Sequence, residues 1–198
     1  MDKMKLAGFL DLVESHDVGV FTPLDFERLM GLKRKAAQAL LGRFVRVGAV
    51  LKLRNGYYVP KSKKPSEYMI SNRIYQPSYV SFETALSHHG MIPETVYSVT
   101  AATTKATRTF NVLGVAYVYH NIKKSAYTGY SPTRMNSGTV LLASPEKALV
   151  DYLYFVHRGK KALNDRLQVG KVDKKTAYGY SRLFGNEKFT RYAKDVIR

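Results

Sequence analysis

Apolar residues recur at Leu6, Phe9, Leu10 and Val13, the i, i+3, i+4, i+7 spacing that lines one side of an α-helix, and predict a first helix over residues 5–15. After the turn-like stretch HDVGVF comes TPLDFERLMG. Here Thr22 can cap a second helix, Pro23 suits its first position and Asp25 stands three residues after the cap. Gly31 then ends that helix, because only glycine turns left-handed at no steric cost. From about Lys33 to Val47, a rotation of about 100° per residue sorts the chain into two faces. Ala36, Ala37, Leu40, Leu41, Phe44 and Val47 fall on one, and Arg34, Lys35, Gln38, Gly42, Arg43 and Arg46 on the other. Gly48 breaks the pattern, AVLKL alternates as a strand, and Asn55-Gly56 marks a tight hairpin of the type I′ kind, with positive φ at both central residues. YYVP is the returning strand, with Pro60 expected to end the pairing.

Residues 61–78, KSKKPSEYMISNRIYQPS, are rich in Lys, Ser and Pro and read as a connector, with room for a helical turn in the middle. Beyond it, YVSFETALSHHGMI predicts a helix from about Phe82 to Gly90 capped by Ser81. PETVYSVTAATT, TRTFNVLG, VAYVYHNI and GTVLLAS are β-branched or aromatic runs separated by turn residues, and predict one mostly antiparallel sheet. SPEKALVDYLYFVHRG opens with Ser144 as cap and Pro145 as first residue, and aligns Leu149, Tyr152, Leu153 and Val156 on one helical face. Helices are also expected near 174–184 and 187–198. The predicted fold class is α+β: an N-terminal winged helix-turn-helix over residues 1–60, a connector over 61–80, and a mixed sheet-and-helix domain over 81–198.

Charge sharpens this picture. With 45% hydrophobic residues the 198-residue chain can pack cores, yet 32 Lys and Arg against 15 Asp and Glu leave a net charge of +17. Such an excess attracts polyanions. Between Glu27 and Glu67 there are eleven basic side chains and no carboxylate, so the charge is concentrated on the third helix and the hairpin. Residues 61–198 are also cationic, with 22 basic and 9 acidic side chains. Twelve of those bases lie from Arg158 onward, which points to nucleic acid or an acidic partner for this part too.

The chain has no cysteine, hence no disulfide, thiolate metal site or thiol nucleophile, and a cytoplasmic location is expected. No apolar run approaches the ~20 residues that cross a bilayer, and the first residues lack a signal-peptide core, so no membrane association is expected.

Three helices and a hairpin in this order match a winged helix-turn-helix, in which the third helix enters the major groove of double-stranded DNA and the wing lies along the adjacent backbone or minor groove. Arg34 and Gln38 are the residue types that read guanine and adenine edges bidentately. Lys33, Lys35, Arg43 and Arg46 suit phosphates, and in the wing Lys52, Arg54, Asn55 and Tyr57 can approach the sugar-phosphate backbone. The bland alternatives are a solvated helix face and a hairpin whose lysines protect an edge. A solvated face normally mixes charge signs to gain i, i+4 pairs, and this one offers no acid.

His88 and His89 point about 100° apart on a helix and cannot share one ion, so no metal site is expected. Glu146 fits stabilisation of a helix N-terminus and Asp151 an i, i+4 pair with Lys147. No Walker loop, nucleophile elbow or dinucleotide fingerprint is present, and no carboxylate lies between Thr95 and Pro145. A nucleic-acid-processing enzyme is therefore the weaker rival, and no catalytic residue or cofactor is expected.

The succession of basic helix, NGYYVP wing, YVSFETALSHHGMIPETV and LLASPEKALVDYLYF resembles the AbiEi antitoxins, transcriptional regulators of bacterial abortive-infection systems. The likeness covers most of the chain and is most specific at Ser81–Gly90 and at Ala143–Asp151, where the family shows an S-P-E-K/R-A/T-L-x-D-like signature. The resemblance implies a repressor that binds inverted repeats in its own promoter. It also implies a second domain that neutralises a nucleotidyltransferase toxin without a stable complex, as a type IV antitoxin. The rival within this picture is a module that binds its protein partner directly.

Overall fold

The computed structural model describes residues 2–135 and 138–198. The chain is α+β and divides into two compact units, Met1–Ile74 and Tyr75–Arg198.

The first unit opens with α1 (Asp2–Ser15), α2 (Pro23–Met30) and α3 (Arg34–Arg46), followed by the hairpin β1 (Val50–Arg54) and β2 (Tyr57–Pro60). The start of α2 is a full capping box. The Thr22 hydroxyl accepts from the Asp25 N–H while the Asp25 carboxylate accepts from the Thr22 N–H, with Pro23 in the first turn. Gly31 ends α2 at φ 60°. Phe9, Phe21, Phe26 and Phe44 meet at centroid distances of 5.4–6.0 Å, Phe21 stacked on Phe26 and the other pairs edge to face or tilted, and form the centre of a core with Val13, Ala37, Leu40, Leu41 and Val50.

The hairpin departs from expectation in two ways. Among positive-φ residues in the turn only Gly56 appears, at 81°, so Asn55 is not left-handed and the turn is not type I′. The register slips by one residue between Lys52 and Arg54, and this irregularity supplies the twist that a mirror-image turn would otherwise provide. β2 does end at Pro60, which stands opposite Val50, and just beyond it the Lys61 N–H donates to Ala49 O at 2.9 Å.

Where a connector was expected the chain builds α4 (Glu67–Ile74) and β3 (Ser78–Val80). The helix belongs to the first unit and the strand to the sheet of the second. Ile70 and Ile74, one turn apart, are buried, as are all three residues of β3; the surrounding Lys, Ser and Pro masked both patterns.

The second unit continues with α5 (Phe82–His88), β4 (Val99–Thr103), β5 (Arg108–Val112), β6 (Val115–Asn121), β7 (Tyr130–Met135), β8 (Gly138–Ala143), α6 (Pro145–His157), α7 (Lys174–Arg182) and α8 (Glu187–Ile197). The six strands run in the order β5-β6-β4-β3-β8-β7. Three of the five pairings are antiparallel, and β3–β8 and β4–β6 are parallel. β7 lacked a strand signal because Pro132 interrupts it, which an edge strand tolerates. α6 packs against α5, α7, α8 and β8, and nine consecutive residues from Lys147 to Phe155 are buried. It is a core helix, wider in burial than the single apolar face its spacing predicted.

Candidate nucleic-acid interface

α3 is seated by Ala37, Leu40, Leu41 and Phe44, so its opposite side faces solvent. Arg34, Lys35, Gln38, Arg43 and Arg46 are all exposed, and so is Lys33, which is extended and precedes the helix rather than opening it. Ala36 and Val47, expected in the core, are exposed as well, Val47 at 68%. Both sit on the rim of the apolar arc, and the four central residues fill the space beneath the helix. The ion pairs described in the first unit lie elsewhere: Lys63 pairs with Asp17 at 2.8 Å and Glu14 at 3.7 Å, and Arg73 with Asp25 at 3.3 Å.

The hairpin is fixed to the helices through backbone. Phe21 and Tyr58 exchange N–H···O bonds of 2.9 Å in both directions, and their rings stack at 6.0 Å. The link between α1 and α2 thereby meets β2 in a single antiparallel bridge. Lys52 and Asn55 project into solvent from the hairpin. Arg54 and Tyr57 do not: both are half-buried, the Arg54 guanidinium donates to Ile74 O at 2.8 Å, and it lies 5.4 Å from the centre of the Tyr57 ring. Arg54 thus neutralises the carbonyl end of α4, a role that its place in the sequence did not reveal. Lys35, Gln38 and Arg46 are exposed on the outward side of α3, with Arg34 and Arg43, nine residues apart, exposed on its two flanks; Arg54 and Tyr57 are half-buried.

The second unit holds a polar cluster that the sequence showed only as an i, i+4 pair. Lys147 and Asp151 are an ion pair with no exposed surface on either side chain. The Asp151 carboxylate also accepts from Tyr79 Oη at 2.9 Å and Ser81 Oγ at 2.8 Å. Burial pushes the Asp151 carboxyl up, against the opposing pull of Lys147, Ser81 and Tyr79. Burial beside that carboxylate raises the Tyr79 hydroxyl well above its ordinary range. Ser81 therefore does not cap α5 with its side chain as expected; the hydroxyl serves Asp151 instead. Two charges four apart inside an otherwise apolar helix were the available signal. Glu146, by contrast, accepts from the Asp173 N–H at 3.2 Å as well as standing in the first turn of α6.

His88 keeps much of its surface in solvent with part of its ring covered, whereas the His89 ring donates through Nε2 to Ala143 O at 2.8 Å. Burial and the neighbouring His89 lower the His88 pKa. Among the described residues no group of three or more His, Cys, Asp or Glu is placed to hold a metal ion, and no helix is long and apolar enough to cross a membrane.

These features define a two-unit α+β protein with an exposed cationic helix beside a β-hairpin. No protein-family model matches the chain, and no curated protein matches it. Among solved structures it is similar to the RV2827C protein from Mycobacterium tuberculosis, with 13% sequence identity and a TM-score of 0.51 over 97% of this chain and 81% of that one. At that identity the likeness concerns the fold alone.

Proposed function

We propose that the first unit is a winged helix-turn-helix that binds duplex DNA, and that the chain is a sequence-specific transcriptional repressor rather than an enzyme. The observation that carries this reading is the outward surface of α3, where Arg34, Lys35, Gln38, Arg43 and Arg46 are exposed, with Lys33 just before the first turn, in a segment free of carboxylates, beside a hairpin tied down at Phe21 and Tyr58. On this reading α3 enters the major groove, with Arg34 and Gln38 on base edges and the remaining cations on phosphates. Lys52 and Asn55 carry the wing contact, while Arg54 holds the hairpin in place from behind.

The resemblance to the AbiEi antitoxins supports a promoter with inverted repeats as target, and an antitoxin role for the second unit against a nucleotidyltransferase toxin, without a stable complex. The test is a mobility-shift titration with the DNA directly upstream of the gene. Lys35→Ala is expected to weaken binding to all sequences and lower the salt slope by about one unit, while Arg34→Ala costs about 1–3 kcal/mol and relaxes preference at one base. Equal losses on operator and random DNA for both variants would refute the division of roles. Co-expression with the toxin, followed by size-exclusion chromatography of the mixture, separates neutralisation without a complex from direct binding.

A further inference from the structure

The exposed side of α3 contains a residue that weakens the helix and brings the protein no contact in return. Gly42 is in the helical interior, and a Cβ built on it meets no atom within 4 Å. Alanine would fit there and favour the helix. Gly8 in α1 and Gly179 in α7 have equally open surroundings, so openness alone assigns nothing. What singles out Gly42 is its setting: Lys35 stands seven residues before it and Arg46 four after, so the three share one line of the helix on the carboxylate-free face. Resting on the DNA-binding reading above, we propose that Gly42 is the point of closest approach between α3 and duplex DNA. The missing side chain lets the helix backbone sink toward the groove wall until Lys35 and Arg46, longer side chains on either side, reach phosphates together. A methyl at that point would lift the helix and loosen both contacts at once.

The experiment uses the full chain and a duplex covering the region directly upstream of its gene. Gly42→Ala is expected to raise the melting temperature by about 3 °C while weakening binding about tenfold and flattening its salt dependence. Gly42→Leu should weaken it further. Gly8→Ala is the control, with a comparable thermal gain and unchanged affinity. Equal or tighter binding by Gly42→Ala, with the wild type binding normally, overturns the role of Gly42 and leaves the DNA reading standing. A wild type that shifts neither this duplex nor random DNA overturns both.

Discussion

The buried pair of Lys147 and Asp151 makes the sharpest demand on stability. Asp151→Asn keeps an acceptor oxygen for Tyr79 Oη and Ser81 Oγ but removes the charge, leaving the Lys147 ammonium enclosed without a counter-ion. Breaking one half of a fully buried pair costs about 3–5 kcal/mol, because the remaining charge has lost both water and partner. That is a large part of the ~5–15 kcal/mol that holds a typical folded domain together. Adding Lys147→Met removes the stranded charge and substitutes a flexible apolar chain of similar length, next to the Phe184 ring that Lys147 Nζ approaches at 4.9 Å. The double variant should therefore recover at least half of the loss, giving a coupling energy of about 2 kcal/mol or more. Urea unfolding followed by near-UV circular dichroism suits the measurement, since the chain has fifteen tyrosines and no tryptophan, and Tyr79 reports directly from the cluster. The effect belongs to the transition of the second unit. A loss below about 1 kcal/mol for Asp151→Asn, or a double variant no more stable than the single, would show that the pair is not enclosed as described.

Further predictions concern the first unit. Thr22→Ala removes the hydroxyl that accepts from the Asp25 N–H and should cost about 1 kcal/mol in the same unfolding assay. Burial raises the Asp25 pKa, but the Thr22 backbone and hydroxyl and the Arg73 guanidinium outweigh it, so the net shift is downward. Its contribution is therefore present above the ordinary carboxylate range and lost as pH falls through the lowered native value. Asp25→Asn should flatten the acid limb of a stability-against-pH profile and leave the neutral plateau lower. Arg54→Ala should lower the thermal stability of the first unit, since it frees the Ile74 carbonyl, whereas Lys52→Ala should change DNA affinity and salt slope with stability unaltered. Identical behaviour of those two variants would contradict the assignment of Arg54 to support.

The parts of this fold legible in the sequence are those set by local rules. Thr22, Pro23 and Gly31 mark both ends of α2, and the period of Ala37, Leu40, Leu41 and Phe44 orients α3, because capping and amphipathicity act within a turn or two of the chain. The exposed cations followed from the same period. What escaped depends on distant neighbours. Arg54 looks like a wing cation until Ile74, twenty residues on, presents its carbonyl. Ser81 looks like a cap until Asp151, seventy residues away, takes its hydroxyl. β3 has three residues and no periodicity of its own; it is a strand because β4 and β8 flank it.

That short strand has a consequence for how the second unit assembles. β3 comes first in the chain among the six strands yet lies in the interior of the sheet, between β4 and β8. Its parallel partner Leu142 is synthesised sixty-two residues after Val80, so the seam that joins β3 and β4 to β8 and β7 is the pairing that closes the longest loop of the sheet. Ordering that seam is paid in loop-closure entropy before burial repays it, and a nascent chain ending before residue 142 leaves one side of β3 without its partner.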